Sequence, residues 1–366
     1  MFKSEKYSLP TAPRLVLSAA LLLITVALIS LPAAAQKATA TNLTSDIPSV
    51  GAFTDANLVN PWGLIASPTG PWWVADNGTG LSTLYDGTGS PKSLVVTVPS
   101  GTSGPGSPDG IVLNTTGGFK INGSAPVFIY STEDGTISGW SSGTSAVIAV
   151  NNSGSGNAVY KGLAISSVGG INYLYVANFR NGTVDVFDTN YNPFSFGSGS
   201  FVDSTIPAGF APFNVVNLGG GTLAVTYAKQ DAAKHDDVPG PGNGYVTLFS
   251  TTGTIVGRLA HTPYSNSPWA VAVAPSSGFG GFSGDTLVGQ FGSGAIAAYT
   301  PAGAFVGLLF NPAALQLQID GLWGLNFGNG SGSGPKTTLY FTAGTFGEAH
   351  GILGSITCCS AGPSKH

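Results

Sequence analysis

Apolar runs separated by Gly, Pro, Asn and Ser succeed one another along this chain from about residue 41 to residue 359. Six of them, Trp72 to Ala75, Val127 to Tyr130, Tyr173 to Ala177, Leu223 to Tyr227, Thr286 to Gly289 and Thr338 to Thr342, occupy the same place in a recurring unit. Ahead of each stands a first strand with an aromatic, charged or small residue near its start. The copies are Pro61-Trp62-Gly63-Leu64, Pro108-Asp109-Gly110-Ile111, Tyr160-Lys161-Gly162-Leu163, Pro212-Phe213-Asn214-Val215, Pro268-Trp269-Ala270-Val271 and Leu322-Trp323-Gly324-Leu325. A third element follows, a Gly leading through alternating residues to an aromatic, as in Gly135 to Trp140, Gly182 to Phe187, Gly244 to Phe249 and Gly294 to Tyr299; Gly351 to Ile356 is a weaker copy. The spacing of Trp62, Asp109, Lys161, Phe213, Trp269 and Trp323 sets a period of 47 to 56 residues.

Six copies of a four-strand unit at this period predict an all-β, six-bladed β-propeller. The blades fall at 60–99, 107–153, 157–207, 211–263, 267–312 and 318–359, with Pro or Gly at their boundaries, so residues 41–359 form one domain. The sixth copy runs out after its third strand. Thr41 to Ile47 alternates as a strand should, and it is expected to pair there and close the ring, which removes an exposed edge.

Composition sharpens this picture. Gly numbers 54 and charged residues make up only 8% of the chain, which favours turns and strands over helices. A net charge of −4 without any basic run excludes the electrostatic footprint of a nucleic-acid binder. Lys3, Lys6 and Arg14 precede an uncharged apolar run from Leu15 to Leu31 and then Pro32-Ala33-Ala34-Ala35. That order predicts a signal peptide over 1–35, export to the periplasm or the medium, and no membrane span after cleavage. Retention of the run as an anchor is the other reading. Cys358 and Cys359 are adjacent and cannot staple a chain of this length, and 360–366 read as a disordered tail.

Candidate chemistry gathers on one face. Antiparallel order places the second-to-third-strand loops (75–80, 131–136, 177–182, 227–244, 289–294 and 343–351) on the same side as the loops entering the first strands. They hold Asp76, Asn77, Glu133, Asp134, Asn178, Arg180, Lys229, Asp231, Lys234, His235, Asp236, Asp237, Glu348 and His350. Loops are solvated and charged in any protein, so this clustering is read both as surface and as a ligand site at the channel mouth. Asp109 and Lys161 join the set because they stand where other blades carry an aromatic; near a narrow channel they must be paired or face a ligand. The long loop from Ala228 to Gly244 reads either as a solvated lid or as a site for Ca²⁺ or another divalent cation on Asp231, Asp236 and Asp237. Glu348 and His350 fit an acid/base pair as well as a surface turn. Trp62, Phe213, Trp269 and Trp323 are expected to pack between blades, with Gly63, Gly110, Gly162 and Gly324 where backbones crowd the axis. Nucleophile elbows, HExxH helices and phosphate loops are missing from the sequence.

Asn57-Leu58-Val59-Asn60-Pro61-Trp62-Gly63-Leu64, Asp76-Asn77-Gly78-Thr79-Gly80, Leu84-Tyr85-Asp86-Gly87, Tyr227-Ala228-Lys229-Gln230-Asp231 and Asp320-Gly321-Leu322-Trp323-Gly324-Leu325 resemble a family of exported bacterial propellers of uncharacterised function, related to NHL-type repeats. Some members end in a Pro-Glu-Pro sorting signal, which this chain lacks. The resemblance covers nearly the whole mature chain and implies export and the propeller fold, with no catalytic residue to carry over. Expected is a monomeric binding or scaffold propeller for a small-molecule, glycan or protein ligand. The alternatives are a divalent-metal-dependent hydrolase or lyase, of lactonase or streptogramin-lyase type, and, ranked last, a quinone-dependent redox propeller.

Overall fold

The computed structural model describes residues 37–154 and 157–358, all within one compact unit, Ala35–His366. The expected signal peptide, Cys359 and the tail 360–366 lie outside the described residues. Among these residues the only helix is one 3-10 turn, Gly280–Phe282, and no helix is long and apolar enough to cross a membrane.

Six antiparallel sheets form the ring of a six-bladed propeller. Blade 1 is built from Pro61–Ala66, Trp72–Asp76, Leu81–Tyr85 and Val96–Thr97. Its second strand is apolar on both faces because neighbouring blades cover both. Alternation sends Trp72 to the seam with blade 6, 5.0 Å from Tyr340, and Trp73 to the seam with blade 2, 4.3 Å from Phe128. Buried clusters of this kind fill the seams all the way round, so the core is a circle of interblade contacts.

The N-terminal strand closes the ring. It runs Ala38–Ser45, three residues ahead of its expected start, and pairs antiparallel with His350–Cys358 from Ala38 opposite Cys358 to Ser45 opposite Ile352. The shift follows from burial: Ala38, Thr44 and Ser45 are all enclosed, and the backbone N–H of Ala38 bonds the carbonyl of Phe310 in blade 5. Phe53–Thr54 adds a short parallel strand outside it, so the sixth sheet has five strands.

One irregularity repeats in every blade. The register between first and second strand slips at Trp62-Gly63, Asp109-Gly110, Lys161-Gly162, Phe213, Trp269-Ala270 and Trp323-Gly324. Each slip inserts one residue more on the innermost strand, a β-bulge, and a bulge re-aims the side chain it carries. Here it turns the residue toward the channel axis. The glycine after the bulge lies against the next blade: a Cβ on Gly63 would come 2.7 Å from the Asp109 carbonyl oxygen, and one on Gly324 2.6 Å from that of Trp62.

Removal of residues 36–47 is expected to strip the partner from His350–Cys358 and open one of six seams. Thermal denaturation and light scattering should show a lower melting temperature and aggregation; melting like the intact mature chain would refute closure by this strand.

Candidate functional site

The six bulged side chains meet on the axis. Trp62 and Trp323 stack at 3.4 Å between ring centroids, and Trp269 and Phe213 contact both edge-on at 5.8 to 6.2 Å. Phe291 stacks on Trp323 at 3.7 Å. The expected packing role is therefore met across the channel as well as between blades, and the rings plug it. Asp109 and Lys161 sit at this level in blades 2 and 3, both fully buried, with the Lys161 ammonium 4.8 Å from the Trp62 ring and 5.9 Å from those of Phe179 and Phe213.

Buried charge has to be compensated, and the loops of other blades supply the partners. Lys161 Nζ forms an ion pair with Glu133 Oε1 and lies 3.9 Å from Asp236 Oδ1. Asn77 donates through Nδ2 to Asp109 Oδ1 at 2.7 Å and to Glu133 Oε2 at 3.0 Å. Its own Oδ1 accepts from Asn60 Nδ2 at 3.2 Å, and Asn60 Oδ1 accepts from Trp323 Nε1 at 3.0 Å. An indole nitrogen only donates, so Trp323 fixes the polarity of the whole relay and turns its donor end to the carboxylates.

The fourth-blade loop folds over this layer. Its hub is Asp231, whose Oδ1 accepts the backbone N–H groups of His235 at 2.8 Å and Asp236 at 3.3 Å. Gln230 Nε2 ties the loop to the carbonyl of Phe179 in blade 3, and the Gly240 N–H donates to Asn266 Oδ1 at 2.7 Å. Asp236 is thereby placed 2.9 Å from His235 Nδ1. That bond raises the pKa of His235 and lowers that of Asp236, and Glu133, His235 and Asp236 bring ligand atoms within 4.8 Å of one another.

The environment acts differently on each ionisable group. Glu133 and Asp109 hold Lys161 protonated against the pull of burial, its pKa raised. Burial, then the charge of Glu133, pushes Asp109 well above the usual carboxylate range, and its Oδ2 is buried with no hydrogen-bond partner among the described residues. Asp237 is raised by burial, and its Oδ2 likewise lacks a partner. Glu348 is pushed up to about 7, first by burial and then by Glu133, with Lys161 opposing and Asp237 and Asp236 adding to the rise. It stands in a turn where Phe346, Gly347 and Glu348 all have positive φ, and left-handed backbone at two non-glycine residues is the kind of strain that functional sites hold.

Other residues expected at the mouth are engaged with different partners or exposed. Asp76 is enclosed in blade 1, where its Oδ2 accepts from Thr83 Oγ1 at 2.7 Å and burial raises its pKa. Asp134 accepts the Ser107 N–H, Asn178 donates to Asp185, and Arg180 donates to Asn157 Oδ1. Lys229 and Lys234 are exposed. His350 does not pair with Glu348; its Nδ1 lies 2.7 Å from Asp46 Oδ2, and Asp46 also accepts the Gly351 N–H, which anchors the closing strand. The sequence reading passed over Asn60. Its one cue in the sequence is an Asn directly before Pro61; the structure gives it a positive φ, which Asn tolerates.

A separate cavity of about 590 Å³ opens at the opposite mouth, lined by the far ends of the first strands. Its walls are aliphatic with Asn214, Asn217 and Asn326, and no titratable side chain reaches it. The larger cavity and the buried charge thus lie at opposite ends of the channel.

Two curated proteins of Acanthamoeba polyphaga mimivirus are similar along most of the chain. Uncharacterized protein R648 is 33% identical over 331 residues, 86% of this chain and 78% of that protein; uncharacterized protein L690 is 31% identical over 326 residues, 84% and 82%. The chain belongs to their family. No family model matches it. Among solved structures, a protein of unknown function from Bacteroides thetaiotaomicron is similar with a TM-score of 0.56 at 10% identity, over 88% of this chain and 76% of that one. A streptogramin B lyase is similar with a TM-score of 0.51 at 13% identity, over 88% and 98%. At such identities these two share the family's fold and nothing finer.

Glu348→Gln mimics the protonated carboxyl. With a folded pKa near 7 and an ordinary value of 4.5, the folded protein binds the proton more tightly, so its contribution to stability falls as pH rises from about 4.5 through 7. The variant should melt with wild type at pH 5 and above it at pH 8; parallel melting curves at both pH values would refute the placement of Glu348.

Proposed function

We propose that this protein is an exported propeller that binds a small polar ligand at the mouth above the aromatic plug. The observation that carries this reading is the convergence of Asn77, Asp109, Glu133, Lys161, Asp236, Asp237 and Glu348, from five blades, on one partly enclosed spot. Burying Asp109 and Lys161 and half-burying Glu133, Asp237 and Glu348 beside them costs stability that a scaffold has no need to spend, and clusters of shifted pKa values mark functional sites. The oxygens of Asp109 and Asp237 that lack partners, and Glu348 beside them, are the groups left over for a ligand. Export rests on the N-terminal pattern, and the likeness to exported bacterial propellers supports the same reading.

A hydrolase or lyase is the second reading, favoured by one observation. A carboxyl titrating near 7 suits a general acid or base at neutral pH, and a streptogramin B lyase shares the fold.

Incubation of purified protein with a polar metabolite extract, followed by washing and mass spectrometry, tests the binding reading. Wild type is expected to retain a compound that Glu348→Gln and Asp236→Asn retain at least tenfold less, with melting temperatures at pH 5 within a few degrees. Equal retention by all three would refute the mouth as the site. Loss of a lactone-opening activity in Glu348→Gln, with binding intact, would instead establish the enzyme reading.

A further inference from the structure

We propose that Lys161 is the resident cation of the mouth, its ammonium standing where the surrounding oxygens would otherwise take a divalent metal. The inference rests on the mouth being a built site and holds whichever ligand it binds. It also decides against a metal-dependent reaction there, because the residues present do not fit a dication.

In size the site suits a metal. Ligand atoms on one ion at about 2.0–2.6 Å are at most about 5 Å apart, and those of Glu133, His235 and Asp236 lie within 4.8 Å. These atoms are already committed, however. Glu133 Oε1 is paired with Lys161 Nζ, Asp236 Oδ1 lies 3.9 Å from the same nitrogen, and His235 Nδ1 is engaged with that Asp236 oxygen at 2.9 Å. A dication would have to share these oxygens with an ammonium that has nowhere to withdraw, since Lys161 leaves a bulge, is fully buried and holds its nitrogen 4.8 to 5.9 Å from the rings of Trp62, Phe179 and Phe213.

The amide relay is an independent observation. Asn77 could serve a metal only through its carbonyl oxygen, yet Trp323 orients the relay so that Asn77 presents its N–H₂ to Asp109 and Glu133. Donor amide and ammonium between them occupy both oxygens of Glu133 and Oδ1 of Asp109. The ring faces beneath favour an alkylammonium over a hydrated ion as well.

Removal of the ammonium should turn the same oxygens into a metal site. Calorimetric and thermal titrations with CaCl₂ and MnCl₂ would be run on wild type, Lys161→Met, Lys161→Ala and Lys161→Met/Glu133→Gln. Wild type is expected to bind neither ion below about millimolar concentration. The two single variants are expected to melt lower, to bind one Mn²⁺ or Ca²⁺ per chain and to gain about 5 °C or more at saturating metal. Propylammonium, small enough to enter the space left in Lys161→Ala, should stabilise that variant and not wild type. The double variant should respond to no ion. A stoichiometric dication on wild type that is lost in Asp236→Asn would overturn the proposal, as would metal-blind behaviour of both single variants. Neither readout involves the ligand, so failure here leaves the binding reading standing, and failure of that reading leaves this one standing.

Discussion

The site depends on a bulge repeated six times in the strand nearest the axis. One extra residue per blade lets a side chain that would lie in an interblade seam point down the channel, and in four blades the glycine after it lets blades approach backbone to backbone. Four bulges carry aromatics, which fuse into a plug and convert a through-channel into two blind mouths. The other two carry Asp109 and Lys161. Because the plug seals one side and the fourth-blade loop covers the other, these charges cannot be hydrated and must find protein partners.

Partner choice then follows from topology. Glu133 belongs to the same blade as Asp109 but pairs with Lys161 of the next; Asp109, raised in pKa by burial and then by the charge of Glu133, is held by the Asn77 amide. Asp236 reaches the same ammonium from blade 4 only because Asp231 folds the loop from inside. The negative surplus around Glu348 is what remains once one lysine has been shared among several carboxylates.

Much of the architecture was legible in the sequence, because a propeller writes its period into the chain. Trp62, Trp269 and Trp323 marked the innermost strand, and Asp109 and Lys161 stood out as departures from the same position. The closing strand was legible from a missing fourth strand in blade 6, although its start was set by the burial of Ala38. Side-chain pairing was not legible. Asp76 shares a loop with Asn77 but lies on the opposite face of the strand end, so one residue enters the blade and the next enters the mouth. Glu348 and His350 read equally as an acid/base pair or a surface turn; the structure has a turn with positive φ over Phe346 to Glu348, and His350 bonds Asp46 instead. Such outcomes depend on turns and on contacts between residues far apart in the chain, which local pattern does not encode.

The central claim is that Lys161 is a buried, permanently charged ammonium held by Glu133. Its most direct test is a pH titration of ¹⁵N-lysine-labelled protein, following the side-chain ammonium resonances, with Lys161 assigned through Lys161→Met. One resonance should persist above the ordinary lysine pKa of about 10.4, and Glu133→Gln should bring its loss to lower pH. A Lys161 signal lost at or below that ordinary value would contradict the account.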